Sequence, residues 1–198
     1  MKTSVIILMI AAIAVMAETV TVNPSADTYT IPAGGNFGSQ NKIQCANKPA
    51  AGHPDERMMF LFDLSAYAGR TVESAVLNLE VFFQCGSGSG TNTQFFAATQ
   101  SWDESWSGAH VSIESSPSGT YHFSGIKWHQ IDVTDLVQRW VDGEIDNYGI
   151  VFKVLGTYPW TKCYSRETTH SPFLELTMSG NALSSNTWAG IKSTWMVD

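Results

Sequence analysis

The strongest constraint on what this chain can become is its rhythm: short runs in which apolar and polar residues alternate, interrupted about every 8–12 residues by Gly, Asn, Ser or Pro. A strand turns successive side chains to opposite faces, so a period of two with one apolar parity describes a half-buried strand. The stretch AVLNLEVFF is the clearest case. Its odd positions Ala75, Leu77, Leu79, Val81 and Phe83 are expected to face a core, with Ser74, Asn78 and Glu80 outward. Similar runs place strands at 19–22, 27–31, 57–62, 74–83, 94–98, 120–123, 128–132, 149–154 and 173–178. Loops such as PAGGNFGSQN and CGSGSGTN hold residues that accept turn dihedrals. The pattern implies an all-β sandwich or barrel. One segment departs from it: at 133–141, Thr134 is placed to cap a short helix carrying Leu136, Val137 and Trp140 on one side.

The N-terminus reads as an address rather than as structure. Lys2 precedes uninterrupted apolar residues at 5–16, and the small residues Val15 and Ala17 stand three and one places before Glu18, the pattern of a cleavable signal peptide over 1–17. A spanning helix needs about 20 apolar residues, more than this run holds. Residues 18–180 then read as one β-sandwich domain and 181–198 as a C-terminal tail. The expected destination is secreted, extracellular or at the cell surface, with no membrane span after cleavage. Eleven Lys and Arg against 18 Asp and Glu, a net charge of -7 without any basic run, argue against nucleic acid and anionic membranes as partners. In an exported chain the three cysteines Cys45, Cys85 and Cys163 lead to one disulfide and one free thiol, with the pairing open. The tail carries Trp188, Ile191 and Trp195 at three- and four-residue steps, a stripe suited either to a partner groove or to folding back on the sandwich.

Seven motifs run in order along the chain: PSADTYT, GGNFGSQNKIQC, RMMFLFDLSAY, SAVLNLEVFF, WDESWSG, IDVTDLVQRWVDGEIDNYGIVF and YSRETTHSPFLELT. Together, over about 22–178, they resemble the DNRLRE-domain proteins, which are grouped with a carbohydrate-binding module family and occur beside polysaccharide lyases or in bacterial and archaeal surface proteins. The resemblance implies a jelly-roll-like antiparallel β-sandwich without catalytic machinery that binds, in some members, acidic polysaccharide such as alginate. The stretch after WDESWSG is short, which implies a shallower groove, and Cys45 and Cys163 fall in segments that resemble family strands.

Side-chain chemistry nominates the residues that would carry binding. Trp102 and Trp106 offer aromatic faces, which suit the apolar C–H surface of a pyranose, or else plug one end of the core. Lys42, Gln44, Arg57 and Arg166 lie on segments that the resemblance puts in or near strands; Arg presents a planar fork and Lys a point charge to a uronate. The bland alternative for Arg166 is a surface pair with Glu167, worth little. Asp103 and Glu104 are adjacent, and on an extended chain they point apart, so they do not flank one glycosidic bond at the roughly 5–9 Å glycosidases use. His53, His110, His122, His129 and His170 lack ligand spacing, and no nucleophile elbow is present. No cofactor is expected. Asp27, Asp132, Asp135 and Asp146 invite a structural Ca²⁺, but no calcium-loop spacing supports it, and helix capping by Asp132 or Thr134 and a turn at Asp146-Asn147 account for most of them. The expectation is a secreted, non-catalytic module for acidic polysaccharide or a cell-envelope component. The alternative is a structural or adhesive surface protein assembled through sandwich and tail. What decides the first is whether Trp102, Trp106, Arg57 and Lys42 share an open groove.

Overall fold

The computed structural model describes residues 17–85 and 90–179; the expected signal peptide, save its last residue, and the tail at 181–198 lie outside the described residues. Eleven strands and one α-helix occur in the order β1 (Glu18–Val22), β2 (Pro24–Thr30), β3 (Lys42–Lys48), β4 (His53–Phe62), β5 (Val72–Cys85), β6 (Thr91–Ala97), β7 (Gly119–Phe123), β8 (Trp128–Asp132), α1 (Thr134–Val141), β9 (Ile150–Val154), β10 (Trp160–Tyr164) and β11 (Phe173–Met178). Every ladder is antiparallel, in the order β1-β11-β5-β10-β3-β4-β9-β6-β7, with β2 also on β4 and β8 also on β5.

The two long strands make this one path a sandwich. The first half of β5 pairs with β11 and β8, and its last residues pair with β10. Likewise β4 pairs with β3 at its start and with β2 and β9 further on. The layers β1-β11-β5-β8 and β2-β4-β9-β6-β7 are therefore joined through β10-β3. Between them lies the main core, where Leu77, Leu79 and Val81 meet Phe60, Phe95, Phe123 and Phe152, each buried side chain contributing roughly 1.5–3 kcal/mol. Phe60 and Phe152 meet edge to face at 6.2 Å, the arrangement aromatic quadrupoles favour. A second, smaller core covers the opposite side of β4 and β9, where Met59 and Val151 pack against Trp102 and Val111.

The parity expected of β5 holds from Ala75 to Val81 and then breaks. Cys163 pairs with Val81 but Lys162 pairs with Phe83, so Phe82 is an extra residue in β5. A bulge of this kind re-aims the side chains beyond it. Phe83 turns from the core to the outer face, beside Lys162. Asn78, expected outward, is 5% exposed; its amide donates to the Val76 carbonyl and its Oδ1 accepts from Gln130.

Helix α1 buries Leu136, Val137, Trp140 and Val141, but Thr134, expected to cap it, is its first helical residue, and Val133 holds the N-cap position. The Asp132 carboxylate, one residue before the N-cap, accepts the Thr134 N–H at 3.0 Å and hydroxyl at 2.6 Å; Thr134 Oγ1 in turn accepts the Ala75 N–H. Those bonds hold the Asp132 carboxyl below its ordinary range. Asp146 and Asn147 form the expected turn, closed by the Tyr148 N–H on the Asp146 carbonyl. The expected disulfide is not formed. Cys45, Cys85 and Cys163 are all free thiols, and burial pushes those of Cys45 and Cys163 well up.

Candidate functional site

Strands β3 and β10 lie side by side with Trp160 opposite Ala46, Lys162 opposite Gln44 and Tyr164 opposite Lys42. Thr161 and Cys163 alternate with these residues and are buried, so Trp160, Lys162 and Tyr164 line one outer face. The bulge adds Phe82 and Phe83 to that face: Phe82 meets the Tyr164 ring at 4.6 Å and Phe83 meets Trp160 at 5.0 Å. Lys162 Nζ sits 4.1 Å from the Trp160 ring centroid and 4.9 Å from that of Phe83, which is cation–π geometry. Burial, then the nearby charge of Lys42, draw the Lys162 amine below the ordinary lysine range, against the pull of Glu56.

A polar chain supports this strip from the β3–β4 side. Gln44 is buried and donates through Nε2 to Glu56 at 2.6 Å, Glu56 meets His53 Nδ1 at 2.8 Å, and His53 lies 3.9 Å from the Trp160 ring. Gln44 Oε1 and Trp160 Nε1 have no hydrogen-bond partner. Lys48 Nζ approaches Cys85 Sγ at 3.2 Å. In the loop entering β10, Tyr158 holds a backbone φ of 85° with its side chain 63% exposed, pinned by its N–H on the Asn47 carbonyl. A left-handed non-glycine residue is strained, and the surrounding structure has to impose it.

Charge sorts sharply by residue type. Each described arginine is bonded to a carboxylate: Arg57 to Asp55, Arg70 to Glu18, Arg139 to Glu114 and Arg166 to Glu104. No described lysine makes a salt bridge, and three of them, Lys42, Lys48 and Lys162, lie together on β3 and β10. Against them the strip holds Glu56, while Glu80 at its margin is taken by His170, which stacks on Tyr164 at 4.8 Å. Among the described residues, an acidic protein thus carries a locally cationic, aromatic surface on β3 and β10.

The six residues nominated by the sequence do not share a groove. Lys42 and Gln44 lie on the strip. Arg57 points elsewhere, into a cluster with Asp55 (2.7 Å) and His110, where burial raises the Asp55 carboxyl but the Arg57 hydrogen bonds and the charges of Arg57, His110 and Lys153 together hold it low. Trp102 is a core residue, 8% exposed, with Nε1 donating to the Tyr148 carbonyl at 2.6 Å. Trp106 is half-buried beside it and donates to the Ala109 carbonyl. Arg166 lies with Glu104, Asp27 and Glu167 where the Trp loop meets the turn after β10. Asp103 bonds Ser105 and Glu104 bonds Arg166, so the adjacent carboxylates do diverge. Trp160, Lys162 and Tyr164 went unnominated, and the signal available for them was the alternation of WTKCY itself, whereas Phe83 was expected in the core.

Two hollows of about 500 Å³ lie elsewhere, one beside α1 near Leu64 and Trp140, the other in the Trp102–Trp106 loop, and neither is lined by Lys or Arg. The fold is an antiparallel β-sandwich that carries an aromatic and cationic strip on its β3–β10 face. The chain belongs to carbohydrate-binding module family 96, whose model matches residues 18–178. That bears out the resemblance at the level of a carbohydrate-binding module, without the narrower DNRLRE name. Among curated proteins none matches the chain.

Proposed function

We propose that this module is non-catalytic, is exported on its N-terminal leader, and binds acidic polysaccharide across the outer face of β3 and β10. The observation that carries the reading is that Lys42, Lys48 and Lys162, none with a carboxylate partner, lie along β3 and β10, with Lys162 against the Trp160 ring. A uronate ring has an apolar C–H face and a carboxylate edge; an indole suits the first and an ammonium the second. Tyr164 and Phe83 on the same face, and the exposed Tyr158 in the loop entering β10, give further aromatic surface.

Affinity electrophoresis tests this. Retardation in gels containing alginate or pectate, absent with neutral glucan and weakened by added salt, is the expected pattern. Equal retardation by neutral and acidic polymers, insensitive to salt, contradicts the acidic preference. No retardation by any glycan contradicts binding at this face.

A further inference from the structure

Where β2, the Trp102–Trp106 loop and the turn after β10 meet, one carboxylate oxygen from each of Asp27, Glu104 and Glu167 lies within 4.8 Å of the others. These residues are distant in sequence, and the fold brings their charges together at an energetic cost. Asp27 has no solvent exposure. Its Oδ2 accepts the Arg166 N–H at 2.7 Å, but its Oδ1 is buried without any hydrogen-bond partner. A buried acceptor left unsatisfied is rare in a folded protein and calls for an unseen partner. Arg166 offers one positive charge, spent on Glu104 Oε1 at 2.6 Å and on the Ser25 carbonyl. Three carboxylates against one guanidinium leave the cluster negative.

The surrounding backbone holds this arrangement. The Asp27 N–H points to Glu104 Oε1 at 3.4 Å, and Gly38 comes so close to Glu104 that a Cβ there would lie 2.2 Å from the Glu104 carbonyl oxygen. Four segments thus converge, from β2, the 36–40 loop, the Trp loop and the 165–167 turn.

We infer that Asp27, Glu104 and Glu167 form a site for a hard divalent cation, Ca²⁺ by the chemistry of the donors, that clips the Trp102–Trp106 loop to the sandwich. All three donors are carboxylate oxygens with no sulfur or imidazole among them, which selects a hard ion over zinc or copper. Ca²⁺ accepts irregular oxygen shells completed by carbonyls and water, whereas Mg²⁺ demands near-octahedral geometry. The ion supplies the partner that Asp27 Oδ1 lacks and offsets the excess negative charge.

Calcium titration calorimetry and thermal melts of the full chain test the site without reference to any glycan. Expected is a single calcium-binding event and a Tm that is lowest in chelator and climbs with calcium concentration, as linkage requires of a ligand bound by the folded state. Glu167→Gln, an exposed substitution that leaves the fold intact, should abolish most of that Tm shift, and Asp27→Asn and Glu104→Gln should do the same. Arg166→Ala should keep the calcium response, since it removes no donor. Magnesium at equal concentration should produce a smaller shift. A wild-type Tm identical in chelator and millimolar calcium, with no heat of binding, overturns the site. A calcium shift undiminished in Glu167→Gln and Glu104→Gln overturns this location.

Discussion

The β3–β10 strip and the Trp102–Trp106 end of the molecule start from the same ingredients, tryptophan beside basic residues, and use them in opposite ways. At the loop end both indole N–H groups donate to backbone carbonyls, Trp102 is sunk in a core, and Arg166 is held by Glu104. On the strip the lysines have no carboxylate partners and Lys162 lies against an indole face. A planar guanidinium is suited to fixing loops through paired hydrogen bonds, while an ammonium on a flexible stem remains available to a ligand. Residue type alone therefore does not mark a binding surface; what the residue is already bonded to does.

The comparison breaks first at the tryptophans. Trp102→Ala should destabilise the fold by about 3–5 kcal/mol through the cavity it leaves, read as a fall in the denaturant midpoint. Trp160→Ala should leave that midpoint far less changed. A Trp102→Ala protein of unaltered stability would mean the loop is not part of the core.

Asp27 sharpens the contrast next. Burial, opposed by the Arg166 N–H and reinforced by Glu167 and Glu104, raises its carboxyl from 3.8 to about 7. In chelator the folded state keeps this proton up to about pH 7 while the unfolded chain releases it near 3.8. Wild-type stability from this group is thus full below about pH 4 and lost as pH rises to about 7. Asp27→Asn, a neutral isostere, should gain on wild type across that window by on the order of a few kcal/mol. A constant difference from about pH 4 to 7 would contradict the burial argument.

On the strip, Trp160→Ala should weaken polyuronate binding roughly 10- to 100-fold, as loss of an aromatic anchor does. Removing Arg57 should do the reverse: glycan affinity unchanged and stability lower by at most about 1 kcal/mol, since the Asp55 pair is partly exposed. The smallest effect is in pH. Because Lys162 gives up its proton below the ordinary lysine range, its share of the affinity should fade as pH rises toward that range, earlier than in a variant where Lys162 is replaced by Arg. Calorimetry at several alkaline pH values separates the two.

Much of the fold was legible in local text because one apolar parity per strand was enough. Strands β5, β8 and β11, and helix α1 with its buried Leu136, Val137 and Trp140, are set by period alone, while β9 shows as an apolar run because both its faces are covered. Strands β3 and β10 escaped that test because β10 turns a polar residue, Thr161, inward while its outward positions include Trp160 and Tyr164, and β3 buries Gln44 as well as Cys45. The bulge at Phe82 was equally hidden, as it exists only relative to β10. At the site the difficulty was distance along the chain. Arg166 meets a carboxylate 62 positions away, and no local pattern carries that information. Lys42 and Gln44 were found through the resemblance, while their neighbours across the ladder awaited the register that pairs Gln44 with Lys162.

In the proposed binding mode the lysines bind and the arginines build. Calorimetric titration of a polyuronate into wild type, Lys42→Ala/Lys162→Ala and Arg57→Ala/Arg166→Ala tests it directly. The account predicts at least about a tenfold loss of affinity at unchanged Tm for the lysine pair, and a lower Tm with affinity within about twofold of wild type for the arginine pair. Retained affinity in the lysine pair together with lost affinity in the arginine pair would contradict it.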